Sequence, residues 1–290
     1  KFSYFPESRV KEIASEFRRR RIPADVIYID IDYMDGFRIF TWDKTKFPDP
    51  AALMRDLREQ GFRTILILNP AVKADENFRL YTEARARGFF VKTSEGKEFN
   101  GTVWAGKSAF LDFANPGARE WFGALYRKNL DEGVSGFWND MNEPSNFPDW
   151  ANLLEPVGGN HPHRTLPLDA RHTVRSSVVA STDMSKVYVD KTSGKKYTPL
   201  KIVENEMTHA RFHNAYGMQM ARATFEGLRK LEPNRRPFVL SRAGFSGIQR
   251  FAAVWTGDNT ASWEHLRLSL PMLLNMSVSG IPFIGADIGG

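Results

Sequence analysis

The 290-residue chain contains no cysteine. This excludes a disulfide framework, thiolate metal ligands and a thiol nucleophile, and leaves carboxylates, histidine, lysine and hydroxyls as the available chemistry. Histidine is scarce as well, at 6 residues. None of the six is clustered at the end of an apolar run, which argues against a metal-dependent barrel hydrolase and indicates no metal site. No window approaches the roughly 18 uninterrupted apolar residues of a membrane span, and the opening residues are charged rather than signal-like, so no membrane partner is expected. Basic residues number 40 against 34 acidic ones, a net charge of +6. That excess is too mild at this length to indicate nucleic-acid binding. The one basic run, at 18–21, closes a helical pattern, where cations suit the C-terminal end of the dipole. There is no internal repeat and no low-complexity tract. No glycine-rich phosphate loop follows the first apolar run, which argues against a dinucleotide fold.

The residues that are present describe an ordinary globular chain, 42% hydrophobic. Short apolar runs lie at 26–31, 64–68, 134–138, 238–240, 252–255 and 281–284. They are continuous rather than alternating, as in strands buried on both faces of a parallel sheet. Amphipathic stretches separate them: Val10, Ile13, Ala14 and Phe17 share one helical face, as do Phe122, Leu125 and Tyr126, with Asn115-Pro116-Gly117 as a capped helix start. Six strand-then-helix units over about 260 residues, with polar residues gathered just after the strands, predict an α/β fold of the (β/α)8 TIM-barrel type. Residues 148–205 break this rhythm. They read as a long βα-loop insertion, carrying a hairpin, within a single barrel domain spanning 1–290.

In such a barrel the C-terminal ends of the strands converge on one face. The polar residues found there are mostly carboxylates: Asp30, Asp32 and Asp35, then Asp140 and Glu143, then Asp258 and Asp287, with Arg242 among them. Tyr33, Trp104, Trp138, Phe245 and Trp255 accompany them. Carboxylates set among aromatic faces suit sugar chemistry, in which acids protonate and attack while flat apolar rings hold a pyranose. Bland roles compete at each position. Asp30 could be a cap or an ion-pair partner, the tryptophans plain core, Asp32 and Asp35 loop supports, and Glu143 a brace for its loop. His209 and His213 stand four apart, as a zinc pair would. The residue after the first is Ala210 rather than the Glu of a metalloprotease helix, so helix surface and packing are the better reading. His161, His163 and His172 fall in the irregular stretch and are expected to meet solvent.

The segment Trp138-Asn139-Asp140-Met141-Asn142-Glu143-Pro144-Ser145-Asn146-Phe147 resembles the nucleophile motif of retaining α-glucosidases of glycoside hydrolase family 31. Further matches follow in family order: Ile31-Asp32-Tyr33-Met34-Asp35, Val103-Trp104, Asn214-Ala215-Tyr216-Gly217, Ser241-Arg242, Trp255-Thr256-Gly257-Asp258-Asn259 and Gly285-Ala286-Asp287. The resemblance implies that Asp140 is the nucleophile and Asp258 the general acid/base. It implies that Asp30 and Arg242 bind sugar hydroxyls, and that Trp104, Trp138, Met141, Trp255 and Phe2 shape the subsite. Phe2 stands where many relatives have Trp, and Asn69 where many have Asp. Asp140 must be ionised to attack, and Arg242 is expected to hold its pKa down, whereas Asp258 must keep its proton until the leaving oxygen takes it.

The activity implied is exo-acting, retaining hydrolysis of terminal α-linked glucose from oligosaccharides, without cofactor. A transglucosylase or an α-xylosidase shares the mechanism, and a catalytically silent carbohydrate-binding fragment is the rival from another class. The resemblance also implies a barrel incomplete at both ends, with most of the first strand and all of the eighth absent. The subsite His carried beyond that point is then missing too, and the flanking β-domains of a longer chain are expected.

Overall fold

The computed structural model describes residues 4–147, 165–180, 188–189, 196–197 and 200–288. Phe2, His161 and His163 lie outside the described residues. In chain order the elements are α1 (Glu7–Arg19), β1 (Val26–Ile29), α2 (Pro50–Glu59), β2 (Arg63–Leu68), β3 (Ala71–Lys73), α3 (Arg79–Ala86), β4 (Asn100–Val103), β5 (Gly106–Phe110), α4 (Pro116–Ala124), α5 (Arg127–Asp131) and β6 (Gly136–Asn139). There follow β7 (Arg171–Ala180), β8 (Tyr188–Val189), β9 (Lys196–Tyr197), β10 (Leu200–Thr208), α6 (His209–Leu231), β11 (Val239–Ser241), β12 (Ala253–Trp255), α7 (Trp263–Val278) and β13 (Ile284–Gly285).

Six strands form one parallel sheet in the order β1-β2-β6-β11-β12-β13. Each new strand is added on the same side as the chain advances. A doubly wound sheet would reverse at a switch point, so this order is that of a (β/α)8 barrel, here incomplete. All four positions of β6 and five of the six in β2 are buried, as a sheet covered on both faces requires. The first apolar run stops short at Ile29 because Asp30 turns the chain: its carboxylate accepts the Ile31 N–H at 2.8 Å and opens a 3₁₀ turn. The last run yields only Ile284–Gly285. Ile281 instead closes the end of α7, its N–H donating to Met276 O at 3.0 Å just after Gly280 at φ +90°.

Local sequence explains the helix starts. Asn115 accepts the Gly117 N–H at 2.9 Å ahead of Pro116, and Asp49 accepts the Ala52 N–H at 3.0 Å ahead of Pro50; both are side-chain caps followed by proline at the first helical position. In the basic run, Arg18 does more than face a dipole. Its guanidinium donates to Gln60 O at 2.8 Å and Ala24 O at 3.0 Å while lying 3.7 Å from the Phe62 ring centre, tying α1 to the entry of β2. Helices α4 and α6 cross where Gly123 meets Gly227. A Cβ on Gly227 would overlap the Gly123 backbone, so backbone contact itself sets this approach. Beneath it, Phe113, Phe122, Tyr126 and Phe137 pack edge to face, with Phe122 and Tyr126 centres 5.4 Å apart and Tyr126 and Phe137 centres 4.4 Å apart.

Two features depart from the sequence reading. The first is a small antiparallel sheet, β3-β5-β4, between β2 and α4. Its β4–β5 hairpin turns at Trp104-Ala105, with Gly106 at φ +82°. The second is His172, expected in solvent but fully buried. Its Nδ1 lies 2.8 Å from Asp112 Oδ1 and its Nε2 3.0 Å from His209 Nδ1, while His209 Nε2 lies 3.0 Å from Thr165 Oγ1. These bonds tie the start of β7 to the first turn of α6, which compensates the polar groups for burial. Burial, with His172 and His213 nearby, holds His209 down at about 3. Strand β7 pairs antiparallel with β10, with a register shift between Ile202 and Glu204, and β8 pairs with β9.

Candidate active site

The strand register brings the ends of β6 and β11 level. Ser241 pairs with Asn139, so Asp140 and Arg242 each stand one residue beyond a matched pair. Backbone bonds continue the match: Asp140 N–H donates to Leu68 O and Arg242 N–H to Asn139 O, both at 3.0 Å. Side chains two apart on a strand share a face. Tyr28, Trp138 and Leu240 line one cavity of about 360 Å³, so Asp30, Asp140 and Arg242, each two residues further on, fall on that same side. Trp255 also lines the cavity and meets Trp138 edge on, with centres 5.3 Å apart. The Trp255 indole N–H is buried without a hydrogen-bond partner among the described residues.

Arg242 is the hub. Its Nη1 lies 2.9 Å from Asp140 Oδ1 and 3.5 Å from Asp258 Oδ2. Its Nε donates to Glu143 Oε1 at 2.7 Å, and its Nη2 to Glu143 Oε2 and to Ser145 Oγ, both at 3.1 Å. Ser145 in turn donates to Glu143 Oε2 at 2.7 Å. Glu143 thus takes the bidentate fork of the guanidinium, the geometry that fixes its plane. That leaves Nη1 for the other two carboxylates. The contact with Asp140 is an ion pair rather than a directed hydrogen bond, since Asp140 Oδ1 has no hydrogen-bond partner in correct alignment.

The three carboxylates sit in different surroundings. The Asp140 side chain is 12% exposed and that of Asp258 77%. Burial pushes the Asp140 carboxyl up to about 7, and neighbouring Glu143 and Asp258 add to this; Arg242 and the Met141 N–H pull the other way and lose. This corrects the expectation that Arg242 holds Asp140 down: its pull has the predicted sign, but desolvation is the larger effect. At Glu143 the balance reverses. Burial again pushes up, yet Arg242, Ser145 and its own backbone together bring the carboxyl below its ordinary value. Burial likewise lowers Arg242, but Asp140, Glu143 and Asp258 outweigh it and hold the guanidinium above its ordinary value.

Beside Asp140 the backbone is strained. Met141 has φ +53°, a left-handed conformation that a non-glycine residue seldom adopts. Its side chain is buried in a small core with Val103, Phe110, Phe147 and Leu166, against the β3-β5-β4 sheet. The Asn146 side chain accepts the Thr102 N–H at 2.9 Å, which joins the loop after β6 to that hairpin. Trp104, 40% exposed at the hairpin tip, leans edge on against Phe147 with centres 6.0 Å apart.

Asp140 and Asp258 therefore both contact Arg242. Trp138 and Trp255 line the cavity, Asp30 follows the end of β1, and Met141 packs in the core against the β3-β5-β4 sheet, with Trp104 at its hairpin tip. Asp32 and Asp35 lie in the turns after β1, where the Asp35 N–H donates to Thr41 Oγ1 at 3.0 Å. Glu143, read from sequence as a loop brace, is the closest partner of Arg242. Asn69, just after β2, keeps a buried Oδ1 without a hydrogen-bond partner among the described residues. No group of three or more metal-ligating side chains occurs among the described residues.

Residues 1–290 match the family model for the glycosyl hydrolases family 31 TIM-barrel domain. Among curated proteins, alpha-glucosidase 2 of Bacillus thermoamyloliquefaciens is 42% identical over 290 residues, covering 100% of this chain and 32% of that protein. Among solved structures, the glucosidase II alpha subunit in its DNJ-bound form superposes with a TM-score of 0.80 at 34% identity, over 100% of this chain and 27% of that one. The family 31 alpha-glucosidase from Bacteroides thetaiotaomicron gives 0.73 at 40% identity, over 100% and 40%. The chain spans about a third or less of the length of the curated relatives it matches.

Proposed function

The chain belongs to glycoside hydrolase family 31, and we propose that it forms the catalytic barrel of a retaining α-glucosidase that releases terminal α-linked glucose from oligosaccharides. In this reading the Asp140 carboxylate attacks the anomeric carbon while Asp258 gives its proton to the departing glycosidic oxygen. Asp258 then takes a proton from water, which displaces Asp140 and frees the sugar with its configuration retained. Arg242 and Asp30 hold hydroxyls, and the Trp255 N–H offers a donor to another. Trp138, Trp255, Met141 and Trp104 shape the subsite. Residues 148–205 are an insertion in this one domain, and the greater length of the relatives supports flanking domains in the protein.

One observation carries the reading: a single nitrogen of Arg242 touches both carboxylates. Their facing oxygens can be no farther apart than the two contacts laid end to end, 2.9 and 3.5 Å. That limit admits the roughly 5–5.5 Å between the carboxyl groups of retaining pairs, which supports the reading. The names of the relatives, alpha-glucosidases from bacteria to human, support the substrate class. The test is covalent trapping with an activated fluoroglucoside followed by peptide mapping. Label on Asp140 is expected, and Asp140→Ala with added azide should give the β-glucosyl azide. Label on Glu143, or no α-glucosidase activity in the full-length protein, would overturn the proposal.

A further inference from the structure

Asn142 follows Asp140 by two residues and is completely buried. Its Nδ2 donates to Ser241 Oγ at 2.8 Å and, more weakly, to Gly217 O at 3.4 Å, while its Oδ1 accepts the Ala243 N–H at 3.0 Å. Ser241 Oγ donates onward to Ala243 O at 2.8 Å. One amide therefore grips the residues on both sides of Arg242. Helix α6 closes the remaining side, because a Cβ on Gly217 would come within 2.8 Å of both Asn142 O and Ala243 Cβ.

We propose that Asn142 is a positioning residue, which holds the backbone of Arg242 in register with Asp140 and so sets how the guanidinium meets the carboxylate. This rests on Asp140 being the nucleophile. Arginine is a long side chain with considerable rotamer freedom, and its tip can be placed only as well as its root. The Glu143 fork fixes the plane of the guanidinium, and Asn142 fixes the backbone from which it projects. An amide is needed because the clamp donates and accepts at once. An ionised Asp cannot donate to Ser241, and an aliphatic residue would leave the buried Ala243 N–H without a partner.

The charged groups that face Asp140 are Arg242, Glu143 and Asp258. Of these only Arg242 opposes burial, so slack in the clamp should raise the pH at which Asp140 ionises. Loss of a polar core contact would otherwise only lower stability. The experiment compares Asn142→Ala and Ser241→Ala with the parent, in the full-length protein, by pH profiles of kcat/KM on an aryl α-glucoside and by thermal midpoints. Expected for Asn142→Ala is a kcat loss on the order of a hundredfold per folded molecule, with the acid limb displaced to higher pH by about half a unit or more. Ser241→Ala should move the limb the same way by less, and the double variant should lose less than the product of the two. If Asn142→Ala does not fold, Ser241→Ala is judged by the same limb. Coincident acid limbs, with activity tracking only the folded fraction, would overturn the proposal. Fluoroglucoside labelling of the parent separates the two questions. An unlabelled Asp140 defeats the nucleophile assignment, whereas a labelled parent with unshifted variants defeats only the clamp.

Discussion

Replacing Asp140 by Asn should stabilise the protein, and do so more as the pH rises. The carboxyl is buried and titrates near 7 instead of its ordinary 3.8. A shift of about three units corresponds to roughly 4 kcal/mol between the two protonation states. Because the folded pKa lies above the unfolded one, the native state binds the extra proton between them. The associated stability is complete below about pH 4 and lost as the pH passes through about 7. Above neutrality the ionised side chain therefore costs the fold up to about 4 kcal/mol relative to acid. Asparagine has nearly the same shape and does not titrate. Arg242 keeps its two bonds to Glu143 at 2.7 and 3.1 Å in the variant, so the substitution does not strand the guanidinium. Other groups titrate alike in both proteins and cancel in the difference. The assay is unfolding of parent and Asp140→Asn at intervals from pH 4.5 to 8. The stability gap should widen toward high pH by about 2–4 kcal/mol, or several degrees in midpoint at about 2 °C per kcal/mol. A gap that stays flat, or is widest in acid, would refute the claim that desolvation outweighs Arg242. The variant should also lack turnover, since it has exchanged the proposed nucleophile for stability.

Asp258→Ala should spare cleavage of an aryl glucoside with an acidic leaving group far better than cleavage of maltose, the latter falling by about 10²–10⁴; equal losses on the two substrates would count against Asp258 as the acid. Gly227→Ala places a methyl against the Gly123 backbone and should lower stability by about 1–3 kcal/mol, with kcat per folded molecule unchanged. An unaltered thermal midpoint in that variant would show that α4 and α6 can part without cost.

The parallel sheet could be read from sequence because its strands are buried on both faces. Continuous runs such as 64–68 have no exposed side on which polar residues could blur the pattern. The β3-β5-β4 sheet was hidden for the opposite reason. Its members include Asn100-Gly101-Thr102 and Gly106-Lys107-Ser108, glycines and polar residues that read as loop and become strand only through pairing. His172 illustrates the same limit. In sequence it sits in an irregular stretch, and only the fold brings Asp112, 60 residues away, to its Nδ1.

At the site, a motif names charges and not solvent. Asp140, Arg242 and Asp258 are conspicuous because they fall in the motifs that resemble the family, whatever surrounds them. How Asp140 ionises depends on packing, because its burial is a sum over residues from separate parts of the chain. Weighing Arg242 alone therefore predicted the wrong direction. Asn142 and Glu143 were obscured differently, since their partners lie at the end of β11 and just beyond it, about a hundred positions on, and nothing near them in sequence points there. The consequence is a division of labour around one guanidinium. Glu143 satisfies its fork and stays ionised, which frees a single nitrogen to face both Asp140 and Asp258. Were Glu143 neutral, Arg242 could turn to pair fully with Asp140, lower its pKa and blunt the carboxylate proposed to attack. The glutamate three residues past the proposed nucleophile would thus matter to the chemistry by occupying the arginine.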